Sequence, residues 1–508
     1  MAKIYVNPLR HNVMIFDELI KLVSSNKAPD IRIDSRLVKA GDIFVAVEGA
    51  VYDGHDFIDQ ALANGAKYIV CQNKGRWTSD EVIIVDDSSK AAAILAQASM
   101  GNPSSKLTNL AVTGTNGKTT VAFLVRSCIQ ITGQKCGLIG TIVYDTGAAS
   151  FEASLTTPDC LTIAEKQSQM LKAGSKYMVI EASSHALAQN RLAAIDFKAA
   201  AFTNLTGDHL DYHKTKKEYL AAKTKLFAAL SPEAIAVLNK QSSEAELIAK
   251  HTKARILWYA IEEQADITAR IESMDSGGTV FTLALANHSS FVSPPSSLVH
   301  RPSSIVKTPL LGLHNVSNHL AAAGLCLAAG FDLETTAGGL SDLQGVPGRL
   351  EKVGWNGDFT VLVDYAHTDD ALKNVLSTLK PLCKGNLRVV FGCGGDRDRT
   401  KRPRMAKVVE QLADFVIVTS DNPRTEKPQD IIDEIIAGFE RTTHHARRTT
   451  KIIEPDRRKA IELAIKSADK DDIVLIAGKG HENYQIIGKQ KFPFSDKTIA
   501  RECLTKRK

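Results

Sequence analysis

Short apolar runs alternate along the chain with longer patterned stretches, and polar, glycine- or proline-bearing turns separate them. Near the start, Ile31 to Arg36 and Asp42 to Val47 alternate or run apolar like strands, punctuated by Gly41 and Gly49. A helix is predicted over Phe57 to Asn64, then strands at Tyr68 to Cys71 and Val82 to Val85. Further on, Leu110-Ala111-Val112 predicts a strand and Val121 to Ile131 a helix. Tyr177 to Ile180 and Ala199 to Phe202 read as buried strands, and Leu320 to Phe331 as a buried Ala-rich helix. Three late strands, Arg388 to Phe391, Phe415 to Thr419 and Ile473 to Ala477, each run directly into a polar loop. Such alternation predicts an α/β fold, a mainly parallel sheet with helices on both faces, and ligands at the carboxyl ends of strands.

The length of 508 residues suggests roughly three domains. Gly101-Asn102-Pro103-Ser104-Ser105 reads as a linker and Gly345-Val346-Pro347-Gly348-Arg349 as a second boundary. The expected domains are therefore 1–104, 105–344 and 345–508. The Pro/Ser-rich stretch 289–304 is expected to be a surface loop or insertion and is assigned no role.

Composition narrows the function classes. A net charge of +6, from 63 Lys and Arg against 57 Asp and Glu, is too small to indicate nucleic acid. The eight cysteines are scattered without a C-x-x-C pair, which fits reduced thiols in a cytosol. Met1 to Arg10 lacks the apolar stretch of a signal peptide, and Leu320 to Phe331 is too short to span a bilayer. A soluble, cytoplasmic protein without membrane insertion is expected.

The sharpest chemical signal is Gly114-Thr115-Asn116-Gly117-Lys118-Thr119-Thr120, set between a predicted strand and a predicted helix. In that context the glycines let backbone N–H groups turn toward a polyphosphate, and the helix adds its positive end. Lys118 would reach the outer phosphates and the Thr119 hydroxyl would hold Mg²⁺. The full pattern wants a glycine where this chain has Val112. The plainer alternative is an ordinary strand-to-helix turn, but the context points to ATP.

Glu181, at the tip of a buried strand, is well placed to hold the nucleotide's Mg²⁺, though a solvated strand end is an equal alternative. Asp208, His209, Asp211 and His213 are dense for a structural loop, although Asp208 alone would also suit a helix cap. Lys223, taken bare, reads as a surface helix lysine.

Gly114 to Thr120, Glu181 to His185, Thr203 to His213 with Lys223, and His314-Asn315-Val316-Ser317-Asn318 together resemble the Mur ligase family. These are ATP-dependent amide-forming ligases of peptidoglycan precursor synthesis. Val363-Asp364-Tyr365-Ala366-His367, Gly392 to Arg399 and Gly478-Lys479-Gly480-His481-Glu482 extend the resemblance, in collinear order, into the last third of the chain. The short phosphate loop is that family's own form, which removes the objection at Val112. Asp421-Asn422-Pro423-Arg424 is similar to the loop of members that add meso-diaminopimelate to UDP-N-acetylmuramoyl-L-alanyl-D-glutamate.

The resemblance implies three domains: a UDP-binding first, a central phosphate-loop domain and a Rossmann-like C-terminal domain. It also implies ATP as co-substrate, two Mg²⁺ ions and an acyl-phosphate intermediate; a monomer is expected. Thr119, Glu181 and His209 match the metal ligands. Lys223 matches a lysine carried as a carbamate formed with CO₂. With Lys118 on the transferring phosphate, Lys223, His209 and Glu181 make the implied catalytic set. Gly114, Thr115, Asn116, Gly117, Thr120, Asn318, Arg349, Asp364 and His367 match positions around ATP. Ser35, Ala50, Val51 and Tyr52 correspond to contacts with the UDP end. Thr156, Thr157, Ser183, Gln189 and Arg191 correspond to contacts with the muramoyl dipeptide, although Thr156-Thr157-Pro158-Asp159 also reads as a helix start on local grounds. Arg397, Asp421, Asn422, Pro423, Arg424, Gly478 and Glu482 match positions around diaminopimelate. Two rivals remain at this level: a folylpolyglutamate synthase, against which the Asp-Asn-Pro-Arg loop and Asp34-Ser35-Arg36 of the first domain argue, and a nucleotide-switched binding protein that hydrolyses ATP without an amino acid.

Overall fold

The computed structural model describes residues 14–25, 28–49, 52–72, 81–206, 210–286, 302–439 and 449–507. Ala50, Val51, Asp208, His209 and most of the Pro/Ser-rich stretch lie outside the described residues. Three sheets organise the chain, each mainly parallel and covered by helices.

The first sheet has four parallel strands in sequence order, Ile31–Arg32, Ile43–Val45, Tyr68–Gln72 and Val82–Val85. Its first strand is shorter than the periodicity predicted. The Asp34 side chain accepts from Arg36 N–H and starts a 3-10 turn, Ser35–Leu37. Short polar side chains compete in this way with the ladder for backbone groups. The predicted Phe57 to Asn64 helix likewise begins as a 3-10 turn, Gly54–Phe57, before Ile58–Ala63.

The second sheet has eleven strands. The phosphate-loop strand, Thr108–Thr113, sits inside it, parallel to Phe197–Phe202 on one side and Tyr177–Glu181 on the other. Alternation buries both of its faces. Leu110 and Val112 pack with the Lys118–Gln130 and Leu313–Ala328 helices, whereas Ala111 packs with residues of Cys160–Lys172 and Lys216–Ala228. A strand buried on both faces reads as a continuous apolar run, as this one does. Antiparallel strands close both edges: Gly278–Leu285 and Ser303–Thr308 at one, Val143–Asp145 and Ser150–Glu152 at the other. The expected loop over 289–304 therefore gives way to a strand at Ser303, whose ladder with Gly278–Leu285 satisfies its backbone groups. The expected linker at Gly101 to Ser105 runs into a 3-10 turn, Pro103–Lys106, with Pro103 and Ser104 buried.

The third sheet runs Glu351–Lys352, Thr360–Asp364, Ile473–Ala477, Leu387–Phe391, Phe415–Val418, Thr450–Ile453, and only its first pair is antiparallel. Thr360–Asp364, Leu387–Phe391, Phe415–Val418 and Ile473–Ala477 all point their carboxyl ends the same way, which gathers the four loops that follow them. Among the described residues no helix is long and apolar enough to cross a membrane.

Candidate active site

The phosphate loop is shaped by close approach. A Cβ on Gly117 (φ +92) would stand 2.2 Å from Asn318 Oδ1, and one on Gly114 would stand 1.9 Å from Thr203 Oγ1. Glycine there lets the loop sit against its neighbours and turn through a left-handed residue. Thr203 Oγ1 donates to Asn116 O (2.6 Å), and Asn116 N–H donates to Asn204 Oδ1 (3.0 Å). The helix begins at Lys118, three residues before the apolar periodicity does, because its first turn is polar. Lys118 Nζ donates to Gly114 O (2.9 Å) and Thr115 O (2.8 Å), which holds the ammonium over the loop.

Glu181 is wholly buried, and three donors hold its carboxylate. Thr141 N–H donates to Oε1 (2.8 Å), while Thr141 Oγ1 and Thr119 Oγ1 each donate to Oε2 (3.0 Å). Arg349 Nη2 reaches across from the third sheet region to Thr119 Oγ1 (3.2 Å). Glu181 and Thr119 thus bring a charged and a neutral hard oxygen together at the loop, a donor pair suited to Mg²⁺. Among the described residues no group of three or more His, Cys, Asp or Glu is gathered to hold a metal, here or elsewhere.

Lys223 is not the surface residue its helix pattern suggests. It is 1% exposed, and Nζ donates to Gly114 O (2.9 Å) while lying 4.4 Å from the Tyr219 ring centroid. The Tyr219 hydroxyl is in turn 3.1 Å from Thr115 Oγ1. The Lys216–Ala228 helix therefore delivers a cation to the back of the phosphate loop, a placement only the tertiary fold creates.

The five residues expected around the muramoyl dipeptide come together. Thr156 Oγ1 lies 3.1 Å from Thr141 Oγ1. Thr157 Oγ1 donates to Glu181 O (2.6 Å) and accepts from Ser183 N–H (3.0 Å). Arg191 donates to Thr157 O (2.7 Å) and, through Nε and Nη2, to Gln189 Oε1 (3.0 and 2.6 Å). Burial lowers the Arg191 pKa from its ordinary value, against the pull of Asp159. The helix-start reading also holds locally, since Asp159 caps Cys160–Lys172 through Thr162 N–H. Ser35 and Tyr52 lie apart in the first sheet region. The Ser35 hydroxyl donates to Gln60 Oε1 (2.8 Å), and Tyr52 is 72% exposed with its ring edge-on to Phe57.

In the third sheet region Asp364 accepts from Leu350 N–H (2.6 Å) and Ala366 N–H (2.7 Å). Burial raises its pKa, opposed by Arg349 and these two bonds. The Arg349 guanidinium stacks over the Tyr365 ring at 4.8 Å, and His367 Nδ1 is 2.7 Å from Tyr365 O. His481 packs against the same ring at 5.2 Å, and burial, then Arg349, lower its pKa to about 4.

The backbone of Arg424 is clamped in a left-handed conformation (φ 53) by bonds to Ile486 O (3.1 Å) and from Gly488 N–H (2.7 Å). Its Nη1 donates to Gly395 O (2.8 Å). Asp421 is 7% exposed, and its Oδ2 has no hydrogen-bond partner among the described residues. A Cβ on Gly478 would fall 2.6 Å from that oxygen, so glycine keeps the carboxylate approachable. Asn422 Nδ2 donates to Glu482 Oε2 (2.8 Å). Pro423 is buried and Arg397 is exposed beside them.

Sequence reasoning missed four residues of this region. Thr141 holds the Glu181 carboxylate and no motif marks it; Tyr219 sits beneath the Lys223 ammonium one helical turn away. Lys479 lies inside the Gly478 to Glu482 motif but was assigned no role. Arg457 is fully buried against Asp496, with bonds of 2.8 and 2.7 Å, and donates to Ala477 O (2.9 Å) at the end of a loop-bearing strand.

Three family profiles match: "Mur ligase family, catalytic domain" over residues 30–103, "Mur ligase middle domain" over 112–326, and "Mur ligase, glutamate ligase domain" over 348–480. The chain is 43% identical over 94% of its length to the UDP-N-acetylmuramoyl-L-alanyl-D-glutamate–2,6-diaminopimelate ligase of Geobacillus kaustophilus, covering 96% of that protein. It is 44% identical to the protein of the same name from Bacillus cereus, covering 94% of each. A solved structure with that name superposes at a TM-score of 0.65 with 34% identity, over 94% of both chains. The MurF ligase of Thermotoga maritima, solved with ADP, shares the fold at a TM-score of 0.58 and 18% identity, over 96% of this chain and 97% of that one. The chain belongs to the Mur ligase family.

Proposed function

We infer that the chain is an ATP-dependent ligase adding meso-diaminopimelate to UDP-N-acetylmuramoyl-L-alanyl-D-glutamate in peptidoglycan precursor synthesis. One observation carries the reading: similarity over 94% of the chain to relatives named for that reaction. The site geometry supports it. Making an amide requires an activated carboxylate, and a phosphoryl group transferred from ATP gives an acyl phosphate for the amine to attack. Lys118 holds the oxygens of the transferring group, and Arg349, bonded to Thr119, brings a second cation from the third sheet region. Thr119, Glu181, His209 and Lys223, as a carbamate, would hold Mg²⁺ as two ions. The metal supplies charge neutralisation for the phosphoryl oxygens. The fit rests on the oxygen pair of Glu181 and Thr119 and on the buried approach of Lys223.

The remaining assignments follow the same reading. Thr156, Thr157, Ser183, Gln189 and Arg191 orient the dipeptide beside Glu181, and Ser35 and Tyr52 meet the UDP end. Asn318, Asp364 and His367 line the nucleotide. Arg397, Asp421, Arg424, Gly478 and Glu482 surround diaminopimelate. The domains divide at 1–104, 105–344 and 345–508, and the enzyme acts in the cytoplasm as a monomer on small molecules.

Phosphate release from ATP and Mg²⁺ tests the reading, with UDP-muramoyl dipeptide and a panel of amino acids. Release is expected only with both substrates present and chiefly with diaminopimelate. Equal ATP hydrolysis without any amino acid would defeat the ligase assignment and favour a nucleotide-driven switch.

A further inference from the structure

Lys479 lies between two glycines with left-handed backbone, Gly478 (φ 115) and Gly480 (φ 53), in the turn after the Ile473–Ala477 strand. No part of it reaches solvent. Its ammonium donates to Asn422 Oδ1 (3.0 Å) and to Glu482 Oε2 (2.9 Å), and it lies 5.7 Å from the Tyr484 ring. Asn422 closes the triangle by donating from Nδ2 to the same Glu482 oxygen (2.8 Å), and its Oδ1 takes a second bond from Ile486 N–H (2.9 Å). One buried cation thus ties the loop after Phe415–Val418 to the turn after Ile473–Ala477.

Burying an ammonium carries a large desolvation cost, and a neutral side chain of similar length would fill the space at less expense. The charge therefore has a use. Asp421 and Glu482 bring two carboxylates to this site, while Arg457 is already neutralised by Asp496. Lys479 pairs with Glu482, so the Asp421–Glu482 carboxylate pair carries one net negative charge for a substrate ammonium, while Arg424 stands apart for a carboxylate. Lys479 also fixes geometry. With Lys479 and Ile486 N–H both on Oδ1, the Asn422 amide can point only its NH₂ at Glu482. With two donors on Oε2, the other Glu482 oxygen is the one left for a ligand.

We propose that Lys479 is a positioning residue of the amino-acid site, orienting Glu482 toward an ammonium of diaminopimelate. The inference rests on the assignment of Glu482 and Arg424 to that substrate. Its test is steady-state kinetics of the unmutated enzyme, Lys479→Met and Lys479→Gln, varying each of the three substrates in turn. Lys479→Met is expected to raise KM for diaminopimelate about tenfold or more, with KM for ATP and for the UDP-dipeptide within about twofold. Lys479→Gln keeps a donor without the charge and should fall between. An unchanged KM for diaminopimelate in folded Lys479→Met, or an equal rise in all three KM values, overturns the proposal. Should Lys479→Met not fold, Lys479→Gln decides, with a selective rise of about threefold as the threshold. Failure of both to fold also overturns it, since the ammonium would then be a stability element. If the unmutated protein shows no diaminopimelate-dependent phosphate release, the functional reading itself fails, and that outcome is visible before any variant is made.

Discussion

Arg424 offers the sharpest test of substrate choice. Diaminopimelate differs from L-lysine by one carboxylate at its far end, and a planar guanidinium can bind that group through two parallel bonds. The backbone around Arg424 is held independently of its side chain, by Ile486 O, Gly488 N–H and a bridge to Ile487. Replacing the side chain should therefore leave the loop in place. Among the described residues, the side-chain bonds lost are that to Gly395 O (2.8 Å) and a long one to Asn422 O (3.5 Å). Against this small internal loss stands the proposed charge-assisted, two-bond contact to substrate, which would be worth about 2–4 kcal/mol, or on the order of 30- to 1000-fold. Arg424→Ala should lower kcat/KM for diaminopimelate by that factor and leave the weak use of L-lysine almost unchanged. Arg424→Lys keeps the charge but not the fork and should recover about a tenth of the lost preference. The assay is amino-acid-dependent phosphate release at saturating ATP and UDP-dipeptide, with diaminopimelate and L-lysine run side by side. Equal use of the two amino acids by the unmutated protein, or an unchanged ratio in Arg424→Ala, would refute the reasoning while leaving amide ligation intact.

Three further outcomes are expected. Lys223→Ala should lose ligation and regain part of it when small carboxylates are added to the assay. Full activity of the variant without them, or none with them, would exclude the carbamate. Asp496→Ala strands the Arg457 guanidinium in a wholly buried site and should cost about 3–5 kcal/mol in denaturant unfolding; a loss below about 1 kcal/mol would contradict the pairing. Glu426 is held by Arg402 at a pKa of about 2, below its ordinary 4.5. Because the folded value is the lower one, its stabilisation is complete above pH 4.5 and is lost as pH falls toward 2. Glu426→Gln should flatten that part of the Tm-against-pH curve, and an unchanged acid limb would show that another group governs it.

Much of the architecture was legible because it follows from local periodicity. A strand buried on both faces must be apolar throughout, so Ile473–Ala477 and Tyr177–Glu181 announce themselves. Element ends were less legible. The strand at Ile31 stops at Arg32 because Asp34 captures Arg36 N–H, a contest between side chain and ladder that periodicity does not weigh. The helix after the phosphate loop starts before its apolar face does, because its first turn, Lys118-Thr119-Thr120, is polar and carries no apolar periodicity.

The site divides along the same line. The amino-acid sequence alone determined the phosphate loop, the glycines that shape it and the carboxylate at the tip of the neighbouring strand, because residues adjacent in the chain set that chemistry. Tertiary structure alone decided that Lys223 is buried against Gly114, that Thr141 holds Glu181, that Arg349 reaches Thr119 and that Lys479 bridges two loops. A lysine on a helix carries no mark of what faces it. Whether it is solvated or buried depends on which strand ends the parallel sheet brings alongside, and those contacts join residues more than a hundred positions apart for Lys223 and more than two hundred for Arg349.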